Sequence, residues 1–579
     1  MRRTILVVLF VLFLHVVCHA QPQTGTYPHG AFDAKTFDTI NIGNLNAYFS
    51  VPVLSKPGRG LSFYYNLAYN SSIWAPLSAS GTHAWTPVLN WGWTADTDAQ
   101  TGYASDAIVL ANSCTYEGHK VMYEVWGDFV YHDIYGTAHP FLGVEVSNNP
   151  TCSGVPSSNA GTATDSSGYQ LAVNSPGSGV AIKVTSAAGK VYTAPYLSMS
   201  GVGSTVDSNG NTISINSSNQ IVDTTGNAIL TVSGTAPSPK TYTYTDTSNT
   251  SRSVTVNYSS YSVETAFGCS GVSEFGPTSE YLISSIGYPD GTSYSFTYEP
   301  TPGVSGKVTG RLASVTLPEG GVIEYNYSGG NNGIECTDGG TATLTRVMPN
   351  DPVTPTTTYT RTPGTNSTHT VVVDGLTNTA EYDFVNASTD PNYTPYLINH
   401  IQYEGSASGT PLISEQSCLN GATPPCTGQS LTLPITSITT TSTLNGTAVK
   451  QSALTFNGYG LLTSDYEYDY GSGSPGAELS QTTISYAGLT NGIVNRPSTV
   501  TTLIPSGSSS VAVSTVSYAY DGNSLTTKTG LPKLAAVTGS RGNLTSVQYT
   551  TGEQSGHDYD CAVLLRQCRS GGDQRGRES

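Results

Sequence analysis

Apolar and polar side chains alternate along most of the chain, in short runs separated by turn residues. The clearest case is an ungapped internal repeat with an offset of 29 residues, in which Ile283–Gly291 matches Leu312–Gly320. In both copies apolar, mostly aromatic residues then occupy every second position, Tyr294 matching Ile323. Because residues i and i+2 share one face of a strand, each copy predicts a β-hairpin.

The turn between the two runs has the chemistry of a tight corner. Proline pre-sets φ for the first corner position, an acidic residue tolerates the second, and glycine accepts the left-handed position that follows. One hairpin alone is marginal in water, so we expect the copies to lie side by side in one long curling sheet. The predicted repeat-turn residues are Pro289, Asp290, Gly291, Pro318, Glu319 and Gly320.

Composition supports this β-rich interpretation. The chain has 579 residues, of which 37 are Tyr, 62 are Gly and 32 are Pro, and only 11% are charged. Tyr favours half-buried strands, whereas the helix formers Lys, Glu and Met are scarce. A chain of this length is expected to form about two to four domains. The formal net charge of −17 disfavours nucleic acid as a partner, because phosphate binding needs basic surface.

The first 20 residues have the pattern of a secretory signal peptide. Met1–Arg3 is basic, Ile5–Val17 is an apolar run broken only by His15, and small residues precede a cleavage position after Ala20. A lipid anchor on Cys18 is the alternative, but the residues before it lack the expected small side chain. No later stretch approaches ~20 apolar residues, so we predict a secreted or cell-surface protein without a membrane span.

Eight cysteines follow the predicted signal peptide, and an even count in an exported chain suggests disulfides. Cys418 and Cys426 close a Gly- and Pro-containing loop and are the best local pair. Pairing of Cys114 with Cys152, and of Cys269 with Cys336, is also considered, although sequence alone does not fix the connectivity. A zinc site is the alternative, but the chain offers no C-x-x-C spacing with a matching His pair.

Residues 21–165 form a first β block, which we expect to resemble a β-sandwich. It holds all five tryptophans. Such a cluster could be a platform on which sugars stack, but large aromatic side chains more often form core, and we favour the core interpretation. The clustered residues are Trp74, Trp85, Trp91 and Trp93, with Trp126 following.

Residues 166–275 form a second β region, rich in Ser, Thr, Asn and Gly. Within it, Val206–Ile213 recurs sixteen residues later as Val222–Ile229. Alternating oxygen-bearing side chains from Asp207 to Asn211 would suit calcium. However, the second copy loses the middle ligand, and Asn-Gly between apolar runs is first of all a hairpin turn. The turn interpretation is therefore favoured, and no metal site or cofactor is predicted.

Residues 276–560 are interpreted as a degenerate array of hairpin repeats. Gly310–Val315 returns as Gly542–Val547 and, in part, as Gly460–Ser464. Tyr-Asp dipeptides recur at unequal intervals, so this is not a strict period. They are Tyr382-Asp383, Tyr468-Asp469, Tyr520-Asp521 and Tyr559-Asp560.

The G-x-L-x-S-V turns, the P-D/E-G corners and the Tyr-Asp pairs resemble those of the Rhs or YD-repeat proteins. The segment from Phe37 to Gly60 is similar to the N-terminal part of large secreted bacterial members. In that family, β-hairpin repeats wind into a spiralling antiparallel sheet that encloses a hollow shell. The shell holds a variable C-terminal toxin or, in other members, displays binding surfaces. The resemblance therefore implies an incomplete, toxin-associated shell.

The chain departs from the family pattern near its end. It contains no match to the D-P-x-G-type segment with which complete members cleave themselves, so neither self-cleavage nor toxin delivery is expected of this chain. After Asp560 the strand alternation stops, and residues 561–579 form an atypical basic tail that we expect to be disordered. One hypothesis is that the reading frame breaks near Asp560 and that the repeats originally continued.

The sequence contains no convincing reaction centre. No nucleophile elbow, zinc-binding helix motif or phosphate-binding loop is present. A carboxylate pair for glycoside hydrolysis stays open, because such a pair leaves no fixed spacing. We therefore predict a structural or interaction protein rather than an enzyme, and a cell-surface glycan-binding or adhesin module is the alternative. The predicted partners are a cargo or toxin polypeptide, a surface glycan, or another copy that pairs through an open sheet edge.

Overall fold

The computed structural model describes residues 24–570, apart from a set of short gaps. The gaps are residues 59–60, 80–81, 149–157, 174–181, 195–203, 335, 337–339, 350, 352–354, 388–389, 391–393, 525–529, 552–553 and 561–568. Nearly all regular structure in this part of the chain is β-strand, which confirms the all-β prediction. Of the basic tail, only a two-residue strand is described.

The N-terminal region contributes eleven strands and one 3₁₀ turn, Leu89–Gly92. The strands are β1 (Phe32–Ala34), β2 (Asp38–Asn41), β3 (Ala47–Lys56), β4 (Phe63–Asn70), β5 (Trp74–Ala79), β6 (Thr82–Pro87), β7 (Trp93–Asp96), β8 (Tyr103–Tyr116), β9 (His119–His132), β10 (Ala138–Phe141) and β11 (Val146–Ser147). They form a five-stranded sheet in the order β1-β2-β3-β4-β7, a four-stranded sheet around β9, and a hairpin of β5 with β6.

The remaining strands begin at residue 160, and a second 3₁₀ turn covers Gly330–Gly333. The strands are β12 (Ala160–Thr162), β13 (Gln170–Ala172), β14 (Ile182–Thr185), β15 (Val191–Ala194), β16 (Ser204–Val206), β17 (Thr212–Ile215), β18 (Gln220–Val222), β19 (Ala228–Ser233), β20 (Lys240–Thr245), β21 (Ser251–Val263), β22 (Val272–Ser273), β23 (Thr278–Gly287), β24 (Ser293–Pro300), β25 (Val308–Thr316), β26 (Val322–Gly329), β27 (Ala342–Val347), β28 (Thr356–Gly364), β29 (Ser367–Val373), β30 (Thr379–Asn386), β31 (Pro395–Tyr403), β32 (Ile413–Leu419), β33 (Ser437–Leu444), β34 (Ala448–Phe456), β35 (Leu462–Tyr468), β36 (Gly471–Ser472), β37 (Glu478–Tyr486), β38 (Pro497–Ser506), β39 (Ser509–Tyr520), β40 (Leu544–Thr551), β41 (Gln554–Asp560) and β42 (Arg569–Ser570).

These strands form one sheet of 30 strands, from β12 to β42, that omits only β22. Each strand pairs antiparallel with a neighbour in sequence almost throughout, so the sheet is a single long meander of hairpins. β22 instead adds to the β5–β6 hairpin. The predicted boundary near residue 275 falls inside the long sheet, between β21 and β23, which pair directly.

One type of hairpin corner recurs along the sheet. In each case the backbone N–H of residue i donates to the carbonyl of i+4, and the N–H of i+3 donates to the carbonyl of i. At Asp207 the side chain completes the corner, because its Oδ1 accepts the backbone N–H groups of Asn209 (2.9 Å) and Asn211 (2.7 Å). Asp or Asn holds the corner in the same way at Asn216, Asp223, Asp246, Asp374 and Asn457.

The main hydrophobic core lies between the five-stranded N-terminal sheet and one face of the long sheet. Rings from both layers meet there: Phe49 lies 6.4 Å from Phe296, and Trp93 lies 5.0 Å from Phe296, between ring centroids. The buried core residues of the long sheet run from Ile213 to Tyr359. We call this part, β17–β28, the covered strands, because the N-terminal sheet packs on them.

A buried ion pair fixes the N-terminal block to the covered strands. The Arg346 guanidinium donates from Nε and Nη2 to the two carboxylate oxygens of Asp38, each over 2.8 Å, and the Tyr325 hydroxyl donates to the same carboxylate over 2.8 Å. The Asp38 side chain is fully buried. A bidentate pair with an added hydrogen bond is the geometry that offsets the desolvation of two buried charges.

The long sheet curls until its early corners meet its late loops. The side-chain amides of Asn209 and Asn543 exchange hydrogen bonds of 3.1 and 2.7 Å across 334 residues of sequence. The Arg541 guanidinium donates to the Asn209 carbonyl (3.1 Å), and Gln170 donates to the Gly492 carbonyl (2.8 Å). We call these contacts, between residues 166–227 and 457–543, the seam.

The strands β35–β39 differ from the rest of the sheet. None of their residues is fully buried, and large apolar side chains such as Leu479 and Val511 are about half exposed (51% and 49%). Hydroxyl groups join neighbouring strands here, as between Ser485 and Ser498 (2.7 Å). We call these the uncovered strands: they form a single layer that is held by its ladder hydrogen bonds and cross-strand pairs.

Candidate functional site

The repeat-turn residues lie at the corners between neighbouring strands. Gly291 and Gly320 have φ values of 90° and 89°, in the left-handed region that glycine accepts without strain. Asp290 accepts the backbone N–H of Thr292 (2.9 Å) and its hydroxyl (2.7 Å), and these two bonds hold the pKa of Asp290 below its ordinary value. The described contacts of these residues are those of a hairpin corner.

The glycine of the G-x-L motif allows close packing between distant parts of the chain. A Cβ atom on Gly310 would lie 2.8 Å from the Trp91 ring, and one on Gly460 would lie 2.3 Å from the Ser166 carbonyl oxygen. Both glycines have positive φ, at 85° and 72°. The motif therefore marks positions where a second layer or the seam touches the backbone.

The Tyr520-Asp521 dipeptide is joined to a G-x-L motif by hydrogen bonds. Asp521 accepts the backbone N–H groups of Arg541 (2.8 Å), Gly542 (2.9 Å) and Asn543 (3.0 Å), which begin the next G-x-L segment. The Tyr520 hydroxyl donates to the Pro497 carbonyl (2.9 Å). These three backbone hydrogen bonds hold the pKa of Asp521 below its ordinary value, although burial opposes the shift. The dipeptide thus ties consecutive hairpins together.

Two disulfides are present among the described residues, Cys269–Cys336 and Cys418–Cys426. Both pairings were considered from the sequence. The first joins the segment before β22 to the segment before β27, and the second closes a surface loop. Cys114 is also disulfide-bonded, whereas Cys152, its predicted partner, lies outside the described residues. Disulfides of this kind are typical of extracellular proteins.

Three of the five tryptophans are core residues, as expected. Trp74, Trp85 and Trp93 are 3%, 3% and 4% exposed. Trp74 also donates its indole N–H to the Thr309 carbonyl on the covered strands (3.0 Å). Trp91 and Trp126 are only partly buried, and Trp91 lies at the edge of a cavity.

A cavity of about 660 Å³ opens beside Trp91 between the N-terminal sheet and the covered strands. Aromatic rings form much of its wall, including Tyr65 and Tyr242, whose centroids lie 5.2 Å apart. The exposed residues Asn90 and Tyr281 lie at its rim. We call this the aromatic cavity.

Two charged residues line the aromatic cavity, Lys240 and Asp133. The Lys240 ammonium lies 5.7 Å from the Tyr242 ring centroid, and burial lowers its pKa. Among the described residues it has no carboxylate partner within 4 Å. Asp133, by contrast, is fully engaged: its Oδ1 accepts the backbone N–H groups of Tyr135 (2.9 Å) and Thr137 (2.8 Å). Sequence reasoning missed Lys240, because nothing in its local pattern sets it apart.

A second cavity, of about 360 Å³, lies between β5, β6 and the covered strands. Arg311 lines this cavity, and its Nε and Nη2 donate hydrogen bonds to the Glu299 carboxylate (2.7 and 2.8 Å). Nη2 also donates to the Asn332 carbonyl (2.8 Å). The guanidinium lies 4.1 Å from the Tyr327 ring centroid. These contacts give Arg311 a structural role in joining neighbouring parts of the fold.

A buried histidine joins the N-terminal block to the start of the long sheet. His139 lies between Asp165 (Nδ1 to Oδ2, 2.6 Å) and Asp133 (Nε2 to Oδ2, 3.4 Å). Burial lowers its pKa, but attraction to Asp165 and hydrogen bonds with both carboxylates outweigh burial and raise the pKa to about 9. Asp165 is shifted the other way: burial raises its pKa, yet the imidazolium of His139 brings it below the ordinary value. No motif or spacing in the sequence predicts this contact.

Several carboxyl groups of the described residues are held in structural contacts. Burial raises the pKa of Asp96, the property expected of a general acid, but Asp96 is only 5% exposed and accepts a hydrogen bond from Asn66 (3.0 Å). Its neighbour Asp98 is bound to Lys190 (2.9 Å). In the loop whose pattern would suit calcium, both Asp207 carboxylate oxygens accept hydrogen bonds from Asn209 and Asn211 of the same corner.

Within the described ranges, no group of three or more His, Cys, Asp or Glu side chains is arranged to hold a metal ion. Among the same residues, no helix has the length and apolar character needed to cross a bilayer.

No protein-family model and no curated protein matches the chain. Several solved chains share weak similarity with it, including the following two. A chain of the Photorhabdus luminescens Tc holotoxin pore is 10% identical with a TM-score of 0.17, over 90% of this chain and 27% of that chain. The N-terminal domain of the effector protein SpvB from Salmonella typhimurium is also 10% identical with a TM-score of 0.17, over 56% of this chain and 98% of that domain. The present chain thus spans about a quarter of the toxin chain, and likenesses at this level indicate nothing about shared function.

Proposed function

We propose that this chain is a secreted structural protein of the Rhs or YD-repeat type, whose hairpin sheet forms part of a shell that encloses or displays a cargo polypeptide absent from this chain. The observation that carries the proposal is the seam. A meander whose corners at Asn209 meet its loops at Asn543 has curled far enough for one part of the sheet to face another. A closed or nearly closed wall of this kind separates an inner from an outer side.

The uncovered strands support the same function. Within the described part of the chain, none of the hydrophobic core clusters includes these strands, yet they carry half-exposed apolar side chains such as Leu479 and Val511. Soluble proteins cover such surface when it is extensive. A cargo held inside the wall would cover it, and a structural rather than catalytic role accounts for the contacts of the described carboxyl groups.

The motifs of the family also have a physical role in this chain. The Tyr-Asp pair at Tyr520 and the G-x-L segment at Gly542 are joined by three backbone hydrogen bonds to Asp521. The resemblance therefore rests on residues that build the wall, and these residues do not identify the cargo.

Electron microscopy and small-angle X-ray scattering of the purified full chain would test the proposal. A shell predicts a curved envelope with an internal space, and the double variant Asn209→Ala, Asn543→Ala should increase the radius of gyration by loosening the seam. An extended rod in both experiments would contradict the shell.

A glycan-binding module at the cell surface is the second candidate function. It is favoured by the aromatic cavity, whose wall and rim combine Tyr and Trp rings with amide side chains. We further expect that the open ends of the sheet allow self-association, because an unpaired edge offers N–H and C=O groups to another chain. Strictly monomeric behaviour at high concentration would contradict that expectation.

A further inference from the structure

The aromatic cavity has the dimensions of a small-molecule site. Its volume of about 660 Å³ lies inside the range of ~300–1,000 Å³ that is common for ligand pockets. It lies where two layers meet, between β4 and β7 of the N-terminal sheet and β20, β21 and β23 of the covered strands. Rigid strands on both sides keep its walls in place.

The wall chemistry suits a ring-shaped polar molecule. Buried Tyr65 and Tyr242 and half-buried Tyr258 line the cavity, together with Asn90 and Gln100. Aromatic rings bind the C–H faces of a sugar ring, and phenol and amide groups bind its hydroxyls.

The backbone at the rim is strained. Asn90 and Trp91 have φ values of 55° and 56°, and Gly92 follows at 82°. Two successive non-glycine residues in the left-handed region are unusual, and for a bulky residue such as tryptophan the conformation is a true outlier. Such strain is concentrated at ligand sites, where the surrounding structure holds the residue in place. Here the Trp91 ring is held against the backbone of Gly310.

The charged residues in the cavity wall narrow the chemical class of ligand that would fit. Asp133 accepts hydrogen bonds from two backbone N–H groups, and its Oδ2 lies 3.4 Å from His139, which it shares with Asp165. Lys240 has no carboxylate partner within 4 Å among the described residues, and its ammonium lies next to the Tyr242 ring in the cavity wall. A cation in a partly desolvated site is satisfied best by an anion with hydrogen-bond acceptors.

We propose that the aromatic cavity binds a sugar unit that carries a carboxylate, such as a uronic acid, with the Lys240 ammonium on the carboxylate and the tyrosine rings against the sugar. This inference rests on the second candidate function, glycan binding at this cavity, and it is independent of the shell function.

Titration calorimetry and saturation-transfer NMR on the full chain would test it, with a uronic acid disaccharide and its neutral hexose counterpart as probes. We expect the acidic disaccharide to bind at least about tenfold more tightly than the neutral one. Lys240→Met should abolish this preference, whereas Lys120→Met, on the exposed end of the β8–β9 hairpin, should leave it unchanged. Tyr281→Ala at the exposed rim should weaken binding of both probes without affecting folding.

Each other outcome would overturn the proposal. These outcomes are no detectable binding of either disaccharide, equal affinity for the two, or an acid preference that survives in a folded Lys240→Met protein. The fold of each variant is checked by tryptophan fluorescence, since all five tryptophans lie in or near the N-terminal sheets.

Discussion

The covered and the uncovered strands carry the same sequence pattern but differ in what lies opposite them. Leu312 and Leu462 occupy the same position of the G-x-L motif; Leu312 is fully buried under the N-terminal sheet, whereas Leu462 is only partly buried. Alternation therefore encodes a strand and its two faces, and a second layer decides how much apolar surface the strand buries. The covered strands are held by a core, and the uncovered strands by their neighbours.

The largest expected difference between the two regions comes from breaking the ion pair that joins the layers. Asp38→Ala would leave the Arg346 guanidinium buried without its carboxylate, and we expect the free energy of unfolding to fall by about 3–5 kcal/mol. Urea unfolding followed by tryptophan fluorescence measures this directly. Glu467→Ala, on the uncovered strand β35, serves as the control and should change stability by at most about 0.5 kcal/mol. Equal losses in both variants would contradict the division into two regions.

Truncation at the shared leucine position tests the same division by packing alone. Leu312→Ala should cost about 2–5 kcal/mol, because the N-terminal sheet cannot collapse onto the space left behind. Leu462→Ala should cost about 1 kcal/mol, since solvent already reaches that side chain. Chemical denaturation of both variants provides the comparison, and a loss at Leu462 as large as that at Leu312 would show that an unrecognised layer covers β35.

The pH dependence of stability should come from the His139 cluster, where the N-terminal block meets the start of the long sheet. The folded-state pKa of His139 is raised to about 9 from 6.5, so its contribution is full below pH 6.5 and is lost as pH rises through 9. The pKa difference corresponds to a loss on the order of 3 kcal/mol. Asp165 has a lowered pKa, so its contribution is lost as pH falls through the acidic range. Thermal unfolding between pH 6 and 10 measures the first effect.

His139→Gln is the control for this pH dependence. It removes the titrating imidazolium but keeps a side chain that can donate a hydrogen bond, and the slope of stability against pH between 6.5 and 9 should flatten. An unchanged slope would assign the pH dependence to other groups.

The smallest effect is expected at the seam, which supports the uncovered strands. Asn543→Ala removes the amide exchange with Asn209, and we expect a loss of about 1 kcal/mol. Faster amide hydrogen exchange in the corner at residues 207–211 would locate that loss. Asn326→Ala, at an exposed position of β26, is the matched control and should change neither quantity.

Local structure could be predicted from the sequence because its causes are local. The P-D-G corner, the alternation around Phe296 and the loop between Cys418 and Cys426 each depend on residues that are close in the chain. Even the turn interpretation of Asp207–Asn211 follows from short-range hydrogen bonds, and the structure places the Asp207 carboxylate on those bonds. The core interpretation of Trp74 and Trp93 followed from their size.

The layer arrangement could not be predicted in the same way. Asp38 meets Arg346 across 308 residues, and Asn209 meets Asn543 across 334. The alternation of apolar and polar residues does not predict such a long-range contact, because the contact depends on how far the sheet curls. The aromatic cavity and Lys240 were missed for the same reason: Lys240 begins an ordinary strand, and only the packing of β4 and β7 opposite it makes it a cavity residue.

The pairing of Asp38 with Arg346 also has a kinetic consequence. At a synthesis rate of ~5–20 residues per second, the partner of Asp38 emerges roughly 15–60 s after it. For much of that interval the aromatic face of β3, β4 and β7 lacks covering residues such as Phe296, while each later hairpin can dock on the one before it as soon as it appears. The N-terminal block is therefore where a holding chaperone would be needed, and a delay before residue 296 would lengthen its exposure.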